Sequence, residues 1–477
     1  MISRILVIST NREISPQPTA PIGAAWIAEA LHQAGFVVNF LDLCFEKRPL
    51  QRLGQILKDF DPEGIAISIR NLDNCDFLSP RSFLPEVKQI TDFIQKHTTA
   101  RILIGGSAVS IMPQQVLSYL HLEFALVGAG EKGVPLFFSA TNPEEARIPG
   151  LVSRGRAVDA DSGHTHQPDG EVIVPQLQRW VDTRSYLRLE PVIPVQGKRG
   201  CAKHCLYCTY ARIEGGTWRL REPGAVVEEI FRTMNATGAR EFEFVDSVFN
   251  EPQGYLETLL EEILRRRLRA RFRISSLSPR GLTREQVRLM EKAGIASAVI
   301  TPEAASDVTL TALGKDFTEQ EVHHAAEVFS GSGIRALWCF LLGGPGEDRS
   351  TLAKTIHFIN NGIAGKDGAF ITTGIRVYPG TGLHERAIRD GIVAADDSLL
   401  MPRFYFTPHL APQMARDILR QGLVNDTRCI FPSDTRFSSL ATLRRMGTLL
   451  RLPGPFWRYA GLLNRFTGGS RALNRTW

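Results

Sequence analysis

The amino-acid sequence predicts an α/β protein in which a doubly wound, Rossmann-like sheet is followed by a partial (β/α)6 barrel and a mainly helical C-terminal region. Two observations predict the two sheets. Short apolar runs alternate with helical segments over residues 1–140, and the alternation resumes over residues 191–395. A third observation, a loop with three closely spaced cysteines after the first strand of the second sheet, indicates where the chemistry lies.

The first domain, residues 1–140, is predicted from five apolar runs: RILVIS, VVNFLDL, GIAISI, RILIGG and FALVG. Parallel strands joined by helices bind their ligands at the carboxyl ends of the strands, so the expected binding loops are residues 10–21, 70–80, 105–110 and 128–133. The last loop contains GAGEKG, which matches G-x-G-x-x-G. Because this copy follows the last strand and not the first, we interpret it as a turn that opens a helix.

The second half of the chain contains a linker and a second sheet. Residues 141–190 have few apolar runs, which predicts a linker or a small irregular subdomain. Residues 191–395 supply six strand units: VIPVQ, EFEFVD, RFRISS, SAVIT, RALWCFLLG and AFITTGIRVYP. Six such units suit a partial barrel, whose active face is formed by the carboxyl ends of the strands. Residues 396–477 are expected to form a basic, mainly helical capping region.

Composition limits the classes of function. The chain has 477 residues, is 43% hydrophobic and carries a formal net charge of +6. Eight arginines and no acidic residue lie within 435–477, so the basic character belongs to the tail and no nucleic-acid partner is expected. Capping of the barrel is the expected role of the tail, with a partner surface or peripheral membrane contact as alternatives. The sequence has no signal-peptide pattern, which predicts a cytoplasmic protein.

The cysteine loop is the most specific feature of the sequence. The stretch GKRGCAKHCLYCTYARIEGG places Cys201, Cys205 and Cys208 in a C-x3-C-x2-C run. A structural zinc site and a ferredoxin-type carrier both require four ligands, and His204 is enclosed within the tight run. Three soft thiolates suit a four-iron cluster in which one iron lacks a protein ligand and can bind a substrate or cofactor. Zinc is the weaker alternative.

With this spacing and an aromatic residue before the last cysteine, residues 196–384 resemble the radical S-adenosylmethionine enzymes. The resemblance implies a [4Fe-4S] cluster on the three cysteines, whose open iron chelates the amino and carboxylate groups of S-adenosylmethionine. It also implies that Tyr207 lies near the adenine and that Glu303 in TPEAAS holds the methionyl amine or the ribose. The stretch LLGGPGED and Arg376 in IRVYPGTGLHERA would border the cofactor, with a simple turn and a surface cation as the structural alternatives.

The first domain resembles the cobalamin-binding domain that often precedes this barrel, although the D-x-H-x-x-G signature is absent and His32 does not replace it. The stretches SIRNLDN and KRGC…YCTYARIEGGTWRLREP are similar to the subgroup that includes the tryptophan C2-methyltransferases. That resemblance implies that Arg70 faces the lower side of cobalt without ligating it, because a guanidinium has no lone pair to donate. A salt bridge at a strand end is the alternative for Arg70. The other residues implied to contact cobalamin are Asn71, Gly105, Gly106, Ser107, Gly128, Gly130 and Glu131.

These resemblances imply a cobalamin-dependent radical S-adenosylmethionine methyltransferase. It would move a methyl group from S-adenosylmethionine, through methylcobalamin, to an unactivated carbon of a small molecule, with an indole or tryptophan-type compound among the expected substrates. An external electron donor such as flavodoxin or ferredoxin would serve it. A cyclisation or rearrangement with the same cofactors, and a non-catalytic cobalamin-binding regulatory module, are the alternatives. Four residues near strand ends are candidates for a catalytic base: Tyr378, Tyr405, His384 and Glu347.

Overall fold

The N-terminal part of the chain folds as one sheet flanked by helices. The structure, a computed structural model, describes residues 2–14, 17–156, 175–423, 428–431, 454 and 456–459. The elements of this part are β1 (Arg4–Ser9), α1 (Ile22–Gln33), β2 (Val37–Asp42), α2 (Pro49–Phe60), β3 (Gly64–Ser68), α3 (Leu84–His97), β4 (Arg101–Gly105), α4 (Ser107–Ile111), α5 (Pro113–Leu120), β5 (Phe124–Leu126), α6 (Gly133–Ser139) and β6 (Leu151–Ser153).

The strand order of this sheet is β2-β1-β3-β4-β5-β6, and strands β1 to β5 run parallel. The winding changes direction between β1 and β3, which opens a crevice at the carboxyl ends of these strands. The predicted doubly wound sheet is therefore confirmed. Strand β6 pairs antiparallel with β5, although its residues belong to the segment 141–190 that was expected to be a linker. That expectation was wrong for β6, because this three-residue strand is defined by its pairing with the edge of the sheet and not by a long apolar run.

The second part of the chain forms the barrel. Its elements are α7 (Leu177–Trp180), α8 (Thr183–Leu187), β7 (Ile193–Val195), β8 (Lys198–Arg199), α9 (Tyr210–Glu214), β9 (Arg219–Leu220), α10 (Pro223–Thr237), β10 (Glu241–Phe244), α11 (Tyr255–Arg265), β11 (Arg271–Leu277), α12 (Arg284–Lys292), β12 (Ile295–Glu303), α13 (Asp307–Ala312), α14 (Glu319–Ser330), β13 (Arg335–Leu342), α15 (Arg349–Asn361), β14 (Gly368–Thr373), β15 (Ile375–Arg376), α16 (Gly382–Arg389), β16 (Phe404–Tyr405), α17 (Pro412–Leu423) and β17 (Cys429–Ile430), followed by a 3-10 helix, Phe456–Tyr459.

The main sheet of this part has the order β7-β10-β11-β12-β13-β14-β17, and all of its strands are parallel. The first six strands are the six that the sequence predicts, so the partial (β/α)6 barrel is confirmed. Strand β17 extends the sheet from a region that was expected to be mainly helical, with Ala369 opposite Cys429 and Phe370 opposite Ile430. Two short antiparallel pairs, β8–β9 and β15–β16, lie beside this sheet.

Alternation along β13 separates the outer face of the barrel from its lumen. The rings of Trp338 and Phe340 pack against Phe358 of α15, with centroid distances of 5.7 Å and 6.2 Å. Because successive side chains of a strand point to opposite faces, the intervening Cys339 points into the lumen. Burial raises the pKa of the Cys339 thiol, and the Glu303 carboxylate raises it further, so these two side chains share the lumen.

A loop of the first domain, residues 72–80, docks onto the barrel, and we call it the docking loop. Its Asp73 accepts a hydrogen bond from Nε of Arg376 at 2.8 Å, in an ion pair whose side chains are 0% and 3% exposed. Its Phe77 contacts Phe404 edge to face, with ring centroids 5.6 Å apart. A buried charge pair and an aromatic contact therefore join the two domains.

The described residues of the tail contact the barrel at the end opposite to the cysteine loop. The Trp457 ring packs on Gly368, the first residue of β14, where a Cβ atom would lie 3.4 Å from the ring. Gly454 packs against the Arg273 guanidinium. No helix in the described part of the chain has the length and apolar character that crossing a bilayer requires. Residues 432–453 and 460–477 lie outside the described residues, so the helical structure and membrane contact of that segment stay predictions.

Candidate active site between the two domains

A cavity of about 360 Å³ lies between the two domains, where the carboxyl ends of β1, β3 and β4 face the start of the barrel. This volume is typical of ligand sites. Asn71 lies in a smaller adjoining pocket beside Arg70. The other seven residues predicted to contact cobalamin all line the cavity: Arg70, Gly105, Gly106, Ser107, Gly128, Gly130 and Glu131. The structure thus brings these residues to one space, and their contact with cobalamin stays a prediction.

Glycines give the cavity walls that consist of bare backbone. At Gly106 φ is +97°, and a Cβ there would lie 2.6 Å from the carbonyl oxygen of Ile69, so only glycine fits this turn. At Gly23, which also lines the cavity, a Cβ would meet no atom within 4 Å and would project into open space. Such walls allow a large ligand to approach the main chain closely and to bond with its amides. The residues present therefore fit a cobalamin.

Arg70 carries a positive charge at the wall of the cavity. Its side chain is solvent-accessible, yet protein surrounds it closely enough that burial lowers the pKa of the guanidinium. With the Asn71 amide oriented to present its oxygen, Nη1 of Arg70 donates to that oxygen at 3.1 Å. Within the described residues Arg70 forms no ion pair, so the alternative of a salt bridge at a strand end is not what the structure has.

The cysteine loop is held by two distant parts of the chain, the turn at Leu313–Gly314 and the start of α16. The backbone N–H of Leu206 donates to the carbonyl of Leu313 at 2.9 Å, and the carbonyl of Leu206 accepts from the N–H of Leu383 at 2.9 Å. Gly314 packs on the same loop, since a Cβ there would lie 2.9 Å from the His204 carbonyl oxygen. These contacts fix the loop at the carboxyl ends of the barrel strands.

The three thiols of the loop are free and lie in different surroundings: Cys201 is buried, Cys205 is half-buried and Cys208 is exposed. Although the Cys208 side chain is solvent-accessible, the protein surrounds it closely enough that desolvation raises its pKa to about 11. Burial also raises the pKa of Cys201, and the neighbouring thiols contribute to both shifts. A metal's positive charge favours the thiolate form that these surroundings disfavour. The described residues contain no group of three His, Cys, Asp or Glu side chains placed for a single metal ion. Ligands of a four-iron cluster bind different irons, and the donor set fits such a cluster.

Tyr207, Glu303 and Lys315 form a hydrogen-bonded group beside this loop. The Tyr207 hydroxyl donates to Oε1 of Glu303 at 2.9 Å, and Nζ of Lys315 lies 3.0 Å from the hydroxyl and 3.3 Å from that Oε1. Burial alone lowers the pKa of Lys315, but the Glu303 carboxylate and the nearby thiols outweigh it and hold that pKa above its usual range. Glu303 ends β12 with a φ of +69°, a conformation that costs a non-glycine residue energy and is common at functional sites.

Lys315 was missed by the sequence analysis. It lies 108 residues from Tyr207 along the chain, in a stretch without a motif. The turn at Gly314, φ +71°, after α13 brings it back over the cysteine loop. The only sequence feature that could have indicated Lys315 is its position shortly after TPEAAS, and that position alone does not predict a ligand-binding role.

Two of the predicted residues lie in the contact between the domains. Arg376 donates to Asp73 and to the carbonyls of Val377 and Leu399, so it is a buried interdomain cation and not the surface cation of the structural alternative. The Tyr378 hydroxyl lies 3.3 Å from the thiol of Cys75 in the docking loop. A contact of Arg376 with S-adenosylmethionine stays a prediction.

The other three candidates for a catalytic base are not brought together. Tyr405 is fully buried, and its hydroxyl donates to Oδ2 of Asp390 at 2.6 Å. His384 accepts a hydrogen bond from the N–H of Gly380 at 3.3 Å. Glu347 is fully buried, and burial raises the pKa of its carboxyl to about 7. None of these residues, nor Tyr378, is among the described residues that line the cavity.

Two family models match the chain in the same arrangement. The Radical SAM superfamily matches residues 195–359, and the B12 binding domain matches residues 12–137. The chain belongs to the cobalamin-binding radical S-adenosylmethionine enzymes. The predicted order of the two domains and the identification from the cysteine run are therefore confirmed.

The chain is homologous to methyltransferases of this family. It is 26% identical over 449 residues to the tryptophan 2-C-methyltransferase of Streptomyces laurentii, which covers 80% of this chain and 73% of that protein. It is 24% identical to an uncharacterised methyltransferase of Pyrococcus horikoshii over 78% of this chain and 79% of that protein. The radical S-adenosylmethionine methyltransferase TsrM from Kitasatospora setae, solved with cobalamin and a [4Fe-4S] cluster, has a TM-score of 0.83 at 22% identity over 99% of both chains. A second structure of TsrM contains tryptophan and an analogue of S-adenosylmethionine.

Proposed function

We propose that this protein transfers a methyl group from S-adenosylmethionine to a carbon atom of an indole-type small molecule, with cobalamin and a [4Fe-4S] cluster as cofactors. The observation that carries the proposal is the interdomain cavity, which places Arg70 and the glycine walls of the first domain against the residues that precede the cysteine loop. When bound, cobalamin supplies a metal that accepts and releases a methyl group, and the cluster supplies an iron with an open position.

Arg70 would face the lower side of the corrin. Its guanidinium has no lone pair, so it would lie beside the cobalt without coordinating it. Its charge has no carboxylate partner among the described residues. We expect this arrangement to disfavour a lower ligand and to make the bound methyl group easier to release.

The group of Tyr207, Glu303 and Lys315 would hold S-adenosylmethionine. The methionyl end of this molecule carries an ammonium and a carboxylate, and Glu303 and Lys315 offer the two complementary charges within 3.3 Å of each other. Their side chains are 13% and 7% exposed, so water screens these charges little. Cys201, Cys205 and Cys208 would bind three irons of the cluster and leave the fourth for the same methionyl end.

The proposal also includes the compartment, the electron donor and the substrate class. None of the seven cysteines, all of which lie in the described part of the chain, forms a disulfide bond, which is typical of a reducing compartment such as the cytoplasm. An external donor such as flavodoxin or ferredoxin would supply electrons. The name of the Streptomyces laurentii relative supports an indole-type substrate.

Anaerobic reconstitution with iron, sulfide and cobalamin, followed by incubation with tryptophan and trideuteromethyl S-adenosylmethionine, tests the proposal. We expect S-adenosylhomocysteine and an indole product in which a trideuteromethyl group replaces one hydrogen on carbon. A variant with all three loop cysteines replaced by alanine is expected to give neither product, while Cys429→Ala, a buried cysteine on β17, serves as the matched control. A rearranged product without an added carbon, or no consumption of S-adenosylmethionine by the loaded protein, would refute the proposal.

A further inference from the structure

The interdomain cavity has an excess of positive charge. Five charged residues line it within the described part of the chain: Arg70, Glu131, Arg199, Glu214 and Arg219. Three of them are cations and two are carboxylates. The pairing of these groups determines where the excess charge lies.

The two carboxylates are occupied by other partners. Nη1 of Arg199 lies 2.6 Å from Oε1 of Glu131 in an ion pair with side chains 15% and 8% exposed. Oε1 of Glu214 accepts from the side-chain amide of Gln196 at 2.8 Å, and Oε2 accepts from the N–H of Gly200 at 3.2 Å. Each carboxylate of the cavity is therefore engaged by the barrel segment that leads into the cysteine loop.

Arg219 is left with a neutral partner. Its Nη2 donates to the backbone carbonyl of Glu214 at 2.6 Å, and it forms no ion pair with any described residue. Burial lowers the pKa of its guanidinium, and the adjacent Arg199 guanidinium lowers it further. The Glu214 and Glu131 carboxylates act in the opposite direction, but the pKa stays below its usual range. A half-buried cation beside a second cation is unfavourable unless an anion joins them. Arg70 differs, because only burial acts on it.

Arg219 lies close to the loop that enters α6. Glu131 is near enough for its charge to act on Arg219, and Glu131 directly follows Gly130 of the glycine wall. An anion between this loop and Arg219 would thus contact the first domain on one side and the barrel on the other.

We propose that Arg219 binds the phosphodiester in the nucleotide tail of cobalamin, and that it selects cobalamin over corrinoids without this tail. The inference rests on the proposed function. The tail contains a single negative charge, and a guanidinium binds a phosphate with two parallel hydrogen bonds. The cation comes from β9 of the barrel and the glycine wall from the first domain, so a complete cofactor joins the domains through its tail.

Titration of the full chain with hydroxocobalamin and with cobinamide, which has the corrin ring and no phosphodiester, tests this inference by absorbance. We expect the wild-type protein to bind hydroxocobalamin more tightly than cobinamide. In Arg219→Gln the affinity for hydroxocobalamin is expected to fall by about 10- to 100-fold, the range of a hydrogen bond to a charged group, while that for cobinamide stays within about threefold. Arg219→Lys, which keeps the charge and loses the paired hydrogen bonds, is expected to lie between the two.

Arg232→Gln is the matched control, because Arg232 is 70% exposed on α10 and pairs only with Glu228 among the described residues. Equal weakening of both corrinoids in Arg219→Gln, or no preference for hydroxocobalamin in the wild-type protein, would overturn the inference and leave the proposed function standing. A variant that binds both corrinoids normally and loses only affinity for the substrate would assign Arg219 to a substrate carboxylate and would overturn it as well. A chain that binds neither corrinoid would instead defeat the proposed function.

Discussion

Replacing Asp73 by alanine is expected to weaken the contact between the docking loop and the barrel by about 3–5 kcal/mol. The Arg376 guanidinium is 3% exposed and has four acceptors: the Asp73 carboxylate and the carbonyls of Val377, Leu399 and, at 3.5 Å, Arg403. Without Asp73 the buried charge keeps only neutral partners, and breaking a buried ion pair in this way typically costs about 3–5 kcal/mol. An energy of this size raises the population of the opened contact by about 150- to 4,000-fold.

Native-state hydrogen exchange measures this opening locally. The amide of Val377, which donates to the carbonyl of Arg403 at 2.8 Å, is expected to exchange faster by the same factor. Asp92→Asn is the control, since its pair with Lys88 is 52% and 28% exposed and is worth about 0.5 kcal/mol or less. The double variant Asp73→Leu and Arg376→Met is expected to recover much of the loss, because it removes the unpaired charge. Less than about tenfold faster exchange in Asp73→Ala would show that the pair does not hold the domains together.

Three further predictions concern single side chains. Burial raises the pKa of Glu347 from its ordinary 4.5 to about 7, so the stability that this carboxyl contributes is present below pH 4.5 and is lost as the pH rises to about 7. In the wild-type protein we expect the free energy of unfolding, measured by urea denaturation, to fall by about 3 kcal/mol across this pH window. Glu347→Gln is expected to abolish that fall, and a variant with the wild-type pH profile would contradict the argument. Gly23→Val is expected to lower cobalamin affinity at least tenfold in equilibrium dialysis, because its side chain enters the cavity, and normal affinity would count against the cavity as the cobalamin site. Lys315→Met is expected to weaken S-adenosylmethionine binding, measured by calorimetry, about tenfold or more. Lys354→Met replaces an exposed lysine and is expected to leave the affinity unchanged. Equal affinities in the two variants would refute the role of Lys315.

The two sheets were predictable because their main strands are long apolar runs and their ligand loops follow these runs directly. The cysteine loop was predictable because its three thiols lie within eight residues of sequence, so the spacing alone specifies the chemistry. Strands β6 and β17 were missed, since two or three residues become a strand only when a sheet edge is available to pair with them.

The candidate site was harder to predict from the sequence, because its hydrogen-bonded side chains are far apart along the chain. The group of Tyr207, Glu303 and Lys315 spans more than 100 residues, and nothing local marks the lysine. Tyr405 shows a different limit. It lies near a strand end, as a catalytic tyrosine would, but its hydroxyl bonds to the half-buried Asp390, and Tyr405 is not among the described residues that line the cavity. Position along a strand indicated the correct end of the barrel and not the direction of the side chain.

The two backbone hydrogen bonds of Leu206 bear on when the metal centre can be assembled. Its two backbone partners, Leu313 and Leu383, are synthesised more than 100 and more than 170 residues after it. During translation these two bonds therefore cannot form until nearly the whole barrel has left the ribosome. We expect iron and sulfide to enter a chain whose barrel has folded, and the three unligated thiols to need protection from oxidation throughout that interval.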